Sequence, residues 1–311
     1  MTLTIQFAAN SAQWEEYEPL LRDALDDRGL DYTLSTDVPP DQVDYIVYSP
    51  DSKVKDFTPF TRLKAVLNLW AGVEKVVGNQ TLTVPLCRMV DDAGLTQGMV
   101  EWVTGHVLRH HLGMDAHIMN PDHKWTPKPP PLARERKVAM LGLGELGQAC
   151  AAQLVALGFD VHGWSRTQKS VNGVTCHHGN DGLTDALTDA QIIVLLLPDT
   201  PATTNVINSN TLDLTAKGAF LINPGRGPLI DDDALIAALD NGQIAHATLD
   251  VFRMEPLPQD HPFWAHPKVT ITPHIASATR PKTAAQVVAM NIHRNETGEG
   301  LLHVVDRTAG Y

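Results

Sequence analysis

The sequence is poor in cysteine, in long apolar runs and in positive charge, and each shortage narrows what the protein can be. Its three cysteines, Cys87, Cys150 and Cys176, are widely spaced and form no C-x-x-C pair, so neither a disulfide framework nor a cysteine zinc site is expected. No apolar run approaches the roughly 18 residues that a membrane span needs. The start of the chain shows no basic stretch ahead of an apolar one. We therefore expect a soluble protein of the cytoplasm.

The charge balance is acidic, since 36 Asp and Glu against 24 Lys and Arg give a formal net charge of −12. A surface of this sign repels polyanions, so neither nucleic acid nor an anionic membrane is expected as a partner. An anionic small substrate stays possible, because a few arginines can outweigh the global charge locally.

The chain has 14 histidines, which raises the question of a metal site. The two adjacent pairs, His110 with His111 and His177 with His178, cannot point to one centre from a helix or strand. No H-E-x-x-H motif occurs. A required metal is therefore not expected.

The order of apolar and turn segments predicts two doubly wound parallel α/β domains, for which 311 residues suffice. Strands of a small first unit are expected at residues 3–8, 32–35, 44–48, 63–69 and 81–86. Strands of a second unit are expected at residues 138–141, 159–164, 191–197, 218–223, 244–251 and 269–272. A proline-rich stretch at 120–136 is interpreted as a surface connection. A helix at 280–297 is expected to return to the first domain. The expected domains are therefore 1–98 with 280–311, and 99–279.

Residues 137–158, KVAMLGLGELGQACAAQLVALG, form the segment around which we expect the second domain to be built. A short apolar run predicts a buried strand, and the apolar spacing that follows predicts a helix. Between them lie Gly142, Gly144 and Gly147 in a G-x-G-x-x-G pattern. The first glycine allows the turn, the second lets a pyrophosphate approach, and the third lets helix and strand pack closely. Free N–H groups at the helix start would bind the phosphates.

The end of the next predicted strand indicates which dinucleotide is bound. An NAD site usually has an acidic residue there, about 20 residues beyond the glycines, to hold the ribose 2′-hydroxyl. This strand instead ends in Trp164, Ser165, Arg166 and Thr167. Ser165 and Thr167 can hydrogen-bond a 2′-phosphate, and the planar guanidinium of Arg166 can hold it with charge-assisted bonds. We expect NADP(H); the alternative is an Arg166 that serves no ligand.

Three ionisable residues follow predicted strands of the same domain. Arg226 lies between two glycines, Glu255 precedes a proline, and His274 follows one. Each alone would be an ordinary loop residue. Because ligands of open parallel sheets bind at the carboxyl ends of the strands, their shared position makes all three candidates for a catalytic site.

These features resemble the D-2-hydroxyacid dehydrogenase family, and within it the type A glyoxylate/hydroxypyruvate reductases. The segments that carry the resemblance cover nearly the whole chain: the glycine motif, LWAGV at 69–73, WSR at 164–166, LPDTP at 197–201, NPGRG at 223–227, DVFRMEPLP at 250–258, TPHIAS at 272–277 and VDRTAGY at 305–311. The resemblance implies a Rossmann domain that binds NADP(H) and a smaller flavodoxin-like substrate domain. It also implies a homodimer through the dinucleotide-binding domain, with the helix that begins near Met99 as a candidate contact.

The resemblance also implies roles for single residues. Arg226, Glu255 and His274 would be the catalytic triad: His274 would donate a proton to the substrate carbonyl oxygen, Glu255 would favour the protonated imidazole, and Arg226 would bind the substrate carboxylate. Backbone N–H groups around Gly72 would hold the same carboxylate, and Asp250 would help to position the nicotinamide amide. The expected substrate contacts are Tyr48, Trp70, Ala71, Gly72, Val73, Arg226 and His274. The expected cofactor contacts are Gly142, Gly144, Glu145, Leu146, Gly147, Ser165, Arg166, Thr167, Leu197, Pro198, Asn223, Pro224, Asp250 and Ala276.

The implied function is NADPH-dependent reduction of small 2-keto acids, glyoxylate to glycolate and hydroxypyruvate to D-glycerate. Trp70 stands where relatives often have a small residue and would narrow the pocket, which leaves the size of the substrate open. A reductase of a larger 2-keto acid is one alternative, which the size of the pocket would decide. A second alternative is a corepressor-like protein that senses NADP(H) without turnover. A third is a formate dehydrogenase, although such enzymes normally pair the histidine with glutamine, and this chain has Glu255.

Overall fold

The computed structural model describes residues 2–310. Met1, which begins the expected first domain, and Tyr311, which ends the VDRTAGY motif, lie outside the described residues. The chain forms two compact units: one runs to Leu95 and resumes at Ala278, and the other spans Thr96–Ser277. The expected limits, 98 and 279, fall within a few residues of these divisions. The assignment of substrate and cofactor to separate units stays a prediction.

The strands and helices alternate along the chain, as a doubly wound fold requires. The strands are β1 (Leu3–Ala8), β2 (Tyr32–Ser35), β3 (Tyr45–Tyr48), β4 (Ala65–Asn68), β5 (Leu86–Cys87), β6 (Lys137–Leu141), β7 (Asp160–Ser165), β8 (Thr175–His178), β9 (Ile192–Leu195), β10 (Ala219–Asn223), β11 (Ile244–Leu249) and β12 (Val269–Ile271). The α-helices are α1 (Trp14–Asp26), α2 (Gln97–His111), α3 (Met114–Met119), α4 (Glu145–Ala156), α5 (Gly179–Leu187), α6 (Ser209–Asp213), α7 (Asp232–Asp240), α8 (Pro262–Ala265) and α9 (Pro281–Glu296). Within residues 2–310 no helix is both long and apolar enough to cross a membrane.

The first unit contains a five-stranded sheet in the order β2-β1-β3-β4-β5, and all its neighbouring strands are parallel. This is the flavodoxin-like order, which confirms the expected fold of the smaller domain. Every residue of β3 and β4 is buried, because parallel strands are covered on both faces. The strand expected at 81–86 is wrong in extent and forms only over Leu86–Cys87. Pro85 has no N–H to give to a ladder, so regular pairing begins after it.

The second unit contains a seven-stranded parallel sheet in the order β12-β11-β10-β9-β6-β7-β8. This doubly wound order reverses direction between β6 and β9, and it confirms the expected Rossmann fold. The edge strand β8 was absent from the sequence-based expectation. Its sequence, TCHH, is polar and its residues are partly or fully exposed, so it carries no apolar signal.

The proline-rich connection lies where the sequence predicts it. Residues 120–132 contain no helix or strand and are almost entirely exposed, with Trp125 95% exposed. A short 3₁₀ helix at Ala133–Glu135 then leads into β6. The stretch thus separates α2 and α3 from the glycine turn without interrupting the sheet.

Candidate active site

The glycine motif forms the turn between β6 and α4. A Cβ at Gly147 would lie 1.8 Å from the carbonyl oxygen of Gly142, so only glycine allows this close approach. At Gly144, chain neighbours aside, nothing lies within 4 Å of a Cβ position, so open space adjoins the start of α4. Gly144 is also the N-cap and provides no side-chain cap, which leaves the first N–H groups of the helix for an anion. These residues fit a dinucleotide pyrophosphate.

The turn after β7 contains the residues expected to hold a 2′-phosphate. Ser165 is 8% exposed, and its hydroxyl donates to the carbonyl oxygen of Thr167 over 2.7 Å. Arg166 and Thr167 are exposed. The buried Ser165 therefore stabilises the turn, while the side chains of Arg166 and Thr167 are accessible to a ligand.

The loop after β10 holds Arg226 from both sides. The buried Asn223 donates from Nδ2 to the carbonyl oxygen of Arg226 over 2.9 Å and accepts from the N–H of Gly225 over 3.1 Å. A Cβ at Gly227 would lie 1.9 Å from the carbonyl carbon of Phe252, so this flank also requires glycine. Arg226 Nη1 donates to the Gly225 carbonyl oxygen over 2.7 Å. These contacts constrain the backbone on both sides of Arg226.

Glu255 and His274 form a hydrogen-bonded pair. Nδ1 of His274 donates to Oε2 of Glu255 over 2.7 Å, with the two side chains 49% and 36% exposed. The other carboxylate oxygen accepts from the N–H of Phe252 over 2.9 Å, which fixes the glutamate. Because a carboxylate only accepts, Nδ1 carries a proton, and Nε2 is the ring atom that gains or loses one. No residue in the described part of the chain hydrogen-bonds Nε2.

The backbone of His274 is in the left-handed region, with φ of 54°. Such a conformation costs a non-glycine residue about 1–3 kcal/mol and has to be held by its surroundings. Asp250, which is 0% exposed, provides that support. Its carbonyl oxygen accepts from the N–H of His274 over 2.8 Å. One carboxylate oxygen accepts from the Thr272 hydroxyl over 2.5 Å and the Ile275 N–H over 2.9 Å, and the other accepts from the Ala276 N–H over 2.9 Å.

The seven-stranded sheet brings most of the expected site residues to one edge. The glycine turn, Leu197 with Pro198, the Asn223 to Arg226 turn, Asp250 and the His274 loop follow β6, β9, β10, β11 and β12 respectively. In a parallel sheet these carboxyl ends lie along the same edge. Glu145 and Leu146 open α4 at that edge, and Thr203 donates to the Pro198 carbonyl oxygen over 2.7 Å.

The remaining expected residues belong to the first unit. Trp70 to Val73 follow β4 as a loop, and Nζ of Lys75 lies 5.7 Å from the Trp70 ring centre. Tyr48 is a core residue: it is 2% exposed, its ring lies 5.6 Å from that of Phe57, and its hydroxyl donates to the Val54 carbonyl oxygen over 3.4 Å. This burial gives no support to the substrate contact expected of Tyr48.

Sequence reasoning missed the residues that support these loops. It assigned Asp250 to the cofactor, which stays a prediction, and did not foresee that the carboxylate of Asp250 also holds the His274 loop. It passed over Asn68 and Thr279, which bond to the loop at 69–73. The one available signal was a single amide, Asn68, closing an otherwise apolar strand. Among the described residues, no group of three or more His, Cys, Asp or Glu side chains could hold a metal ion.

A model of the NAD-binding domain of the D-isomer specific 2-hydroxyacid dehydrogenases matches residues 105–276. The chain is 41% identical over 258 residues to a glyoxylate/hydroxypyruvate reductase A from Serratia proteamaculans, which covers 80% of this chain and 82% of that protein. The protein of the same name from Yersinia enterocolitica is 39% identical over 257 residues, with the same coverage.

Solved structures of relatives match along the full length of both chains. A D-isomer specific 2-hydroxyacid dehydrogenase from Xanthobacter autotrophicus Py2, in complex with NADPH and MES, gives a TM-score of 0.92 at 38% identity. An NADPH-dependent glyoxylate/hydroxypyruvate reductase from Sinorhizobium meliloti, in complex with NADP and sulfate, gives a TM-score of 0.87 at 33% identity.

Proposed function

Because the chain belongs to the D-isomer specific 2-hydroxyacid dehydrogenase family, we propose that it reduces glyoxylate to glycolate and hydroxypyruvate to D-glycerate with NADPH. The observation that carries the proposal is the pair of Glu255 and His274, in which Nδ1 donates to the carboxylate over 2.7 Å and Nε2 faces no partner in the described chain. Relatives about 40% identical bear the name of this activity.

NADP(H) is the proposed cofactor. The open N-terminus of α4 at Gly144 would hold the pyrophosphate. Arg166 and Thr167, which are exposed at the end of β7 where an NAD site has an acid, would hold the 2′-phosphate. When bound, NADPH supplies the hydride that the carbonyl carbon accepts. Two full-length structural relatives were solved with NADPH or NADP.

The proton follows from the geometry of His274. As imidazolium, the ring would give the Nε2 proton to the carbonyl oxygen, which becomes the hydroxyl of the product, and would take a new proton from water. Glu255 stabilises the charged ring through Nδ1 and turns Nε2 outward. Arg226 would bind the substrate carboxylate with two donors of its planar guanidinium. The backbone N–H groups of residues 70–73 are further proposed donors to a substrate carboxylate.

The first test is the loss of NADPH absorbance with glyoxylate, hydroxypyruvate, pyruvate and a bulkier 2-keto acid, with NADH in parallel. We expect turnover of the first two acids with NADPH to exceed all other combinations. Preference for the bulkier acid would favour the alternative of a larger substrate. Tight NADPH binding without turnover of any acid would favour the sensing protein.

The choice of cofactor is tested by Arg166→Asp. Loss of charge-assisted bonds to the 2′-phosphate should weaken NADPH binding by roughly 10- to 100-fold and leave NADH binding nearly unchanged. Fluorescence titration with each dinucleotide measures this. Arg134→Asp, at another exposed arginine of the same unit, controls for the general change of charge. An equal loss of affinity for both dinucleotides would show that Arg166 does not bind the 2′-phosphate.

We further propose a homodimer formed through the dinucleotide-binding domain, with α2 as a contact, in the reducing cytoplasm. Ile118 is 73% exposed, Met119 is 72% exposed and α3 buries none of its residues, an apolar surface of the kind that a second copy would cover. The three cysteines are free thiols, as that compartment favours. Sedimentation velocity of the full chain tests the dimer, and a monomer at micromolar concentration would contradict it.

A further inference from the structure

The loop at residues 69–73 is held by its carbonyl groups. Nδ2 of Asn68 donates to the carbonyl oxygens of Trp70 over 2.8 Å and of Gly72 over 3.0 Å. The hydroxyl of Thr279 donates to the carbonyl oxygen of Leu69 over 2.7 Å. The N–H of Met89 is a second donor to the Trp70 oxygen, over 3.1 Å. Three carbonyl groups of the loop, those of Leu69, Trp70 and Gly72, thus accept hydrogen bonds from residues outside it.

Fixing these carbonyl groups also aims the N–H groups of the loop. The peptide bonds here are trans, and in a trans peptide the N–H points opposite to the C=O. The N–H groups of Trp70, Ala71 and Val73 therefore point away from Asn68 and Thr279. Within residues 2–310, no N–H of residues 70–73 donates a hydrogen bond to another residue. Successive unpaired N–H groups make an anion-binding surface.

We propose that Asn68 and Thr279 are positioning residues that aim the N–H groups of Trp70, Ala71 and Val73 at the carboxylate of the 2-keto acid. The proposal rests on the proposed function for the identity of the anion. In this proposal Asn68 and Thr279 do not touch the substrate themselves. They fix the geometry of the loop N–H groups that do.

The chemistry of Asn68 favours this role over a purely structural one. The side chain is 1% exposed, and its Oδ1 has no hydrogen-bond partner. A buried unpaired oxygen destabilises a fold, so stability does not explain an amide here. Only an NH₂ group of this size offers two donors to two carbonyl oxygens. Aspartate would place a carboxylate against both oxygens. Leucine would remove the Asn68 donor from both and leave the Trp70 oxygen only the N–H of Met89.

Thr279 lies on a short stretch of chain with two roles. It is the second residue of the segment that re-enters the first unit at Ala278, and it follows His274 by five residues. The segment that supplies the proposed proton donor therefore also supplies one support of the proposed carboxylate loop.

The test uses Asn68→Leu and Thr279→Val in the full-length protein, with Thr279→Ser as the conservative variant. Steady-state kinetics give KM and kcat for glyoxylate, and calorimetric titration of oxalate into the NADPH-loaded protein gives anion affinity without turnover. For Asn68→Leu we expect KM and the oxalate dissociation constant to rise about tenfold or more. The value of kcat should stay within about threefold, because the carboxylate is bound alike in ground and transition states. Thr279→Val should show a smaller rise, and Thr279→Ser should match wild type.

Asn291→Leu is the matched control. Asn291 is also a buried amide of the first unit, at 2% exposed, and it accepts from the N–H of Leu302, which is not a residue of the loop. It should lose stability without a rise in KM. An equal KM rise in Asn291→Leu, or unchanged oxalate affinity in both Asn68→Leu and Thr279→Val, overturns the proposal. A wild-type protein that fails to reduce any keto acid overturns the proposed function instead, and weakened oxalate binding in Asn68→Leu would then still support the positioning role.

Discussion

Two loops of this molecule, residues 69–73 and 272–276, rest on buried polar side chains of opposite hydrogen-bonding character. Asn68 donates to loop carbonyl oxygens, whereas Asp250 accepts from loop N–H groups and a hydroxyl. The first loop keeps its N–H groups for a ligand. The second has used those of residues 274–276 and presents a side chain, His274. A buried donor such as Asn68 thus leaves the N–H groups of its loop available to a ligand. A buried acceptor such as Asp250 uses those N–H groups, so that the loop presents a side chain instead.

The largest effect is expected when the second loop loses the side chain that it presents. His274→Asn should lower kcat by about 10²–10⁴-fold, the usual contribution of a general acid, and spare NADPH binding. Asparagine adopts the left-handed backbone readily, so the loop itself should persist. Turnover and dinucleotide titration measure the two quantities. A variant that still reduces glyoxylate at nearly the wild-type rate would remove His274 as the proton donor.

The next largest effect comes from reversing the support of the second loop. Asp250→Asn places NH₂ hydrogens against N–H groups, which should destabilise the protein by about 1–3 kcal/mol and lower kcat by up to about a hundredfold through misplacement of His274. Thermal melting and kinetics test this. Asp231→Asn is the control, because Asp231 also accepts from a backbone N–H, at the cap of α7. If Asp250→Asn behaves like that control, the acceptor beneath the loop is not what orders it.

Reversing the support of the first loop gives the complementary test. Asn68→Asp replaces two donors with a carboxylate beside the Trp70 and Gly72 oxygens, and it adds negative charge near the proposed anion surface. The KM for glyoxylate should rise beyond the roughly tenfold expected for loss of the donors alone, with kcat less affected. Raised ionic strength should reduce the excess. A KM for glyoxylate equal to that of wild type would contradict the claim that the first loop depends on a donor at position 68.

The last and smallest expected effect is that acid lowers the stability of the second unit more than that of the first, with little difference at neutral pH. Burial, together with nearby His246 and Arg109, lowers the pKa of His110 to about 3. Burial is also the main reason that the pKa of His246 is lowered to about 4. Unfolded histidine titrates near 6.5, so below that pH the unfolded chain binds more protons, and stability of the second unit falls as pH falls, by up to about 1.4 kcal/mol per pH unit for each histidine.

Hydrogen exchange between about pH 6.5 and 4.5 checks this difference. Exchange from β10 and β11 should accelerate with acid more than exchange from β3 and β4, since the first unit contains only His293 and His303 and both are partly exposed. His246→Asn should flatten the pH dependence of the second unit. Parallel pH dependence in both sheets would contradict the assignment.

Motif spacing predicted the parts of the site that depend on local sterics. At Gly147 and Gly227 a Cβ would fall within 2 Å of backbone atoms, so the residue type records the packing. Hydrogen bonds that join distant parts of the chain cannot be read from residue type in this way. The bond from Thr279 to Leu69 joins residues 210 positions apart, and no periodicity encodes that contact.

Tyr48 shows a different limit of sequence reasoning. Its place at the end of β3 gave an expected substrate contact, which stays a prediction that its burial does not support, and successive side chains of a strand point to opposite faces. Position along the strand therefore does not say whether a ring points outward. In the structure the ring packs on Phe57 in the core.

The division of the chain also has a consequence for its synthesis. The second unit, Thr96–Ser277, is continuous, whereas the first is interrupted and packs α9 against α1. Because a chain emerges from the ribosome with its N-terminus first, β1 to β5 must wait for the whole second unit before their last helix arrives. A nascent chain that stalls near Ser277 would hold a complete second unit and a first unit that still lacks α9, so the synthesis of residues 278–310 sets the moment at which the first unit can finish folding.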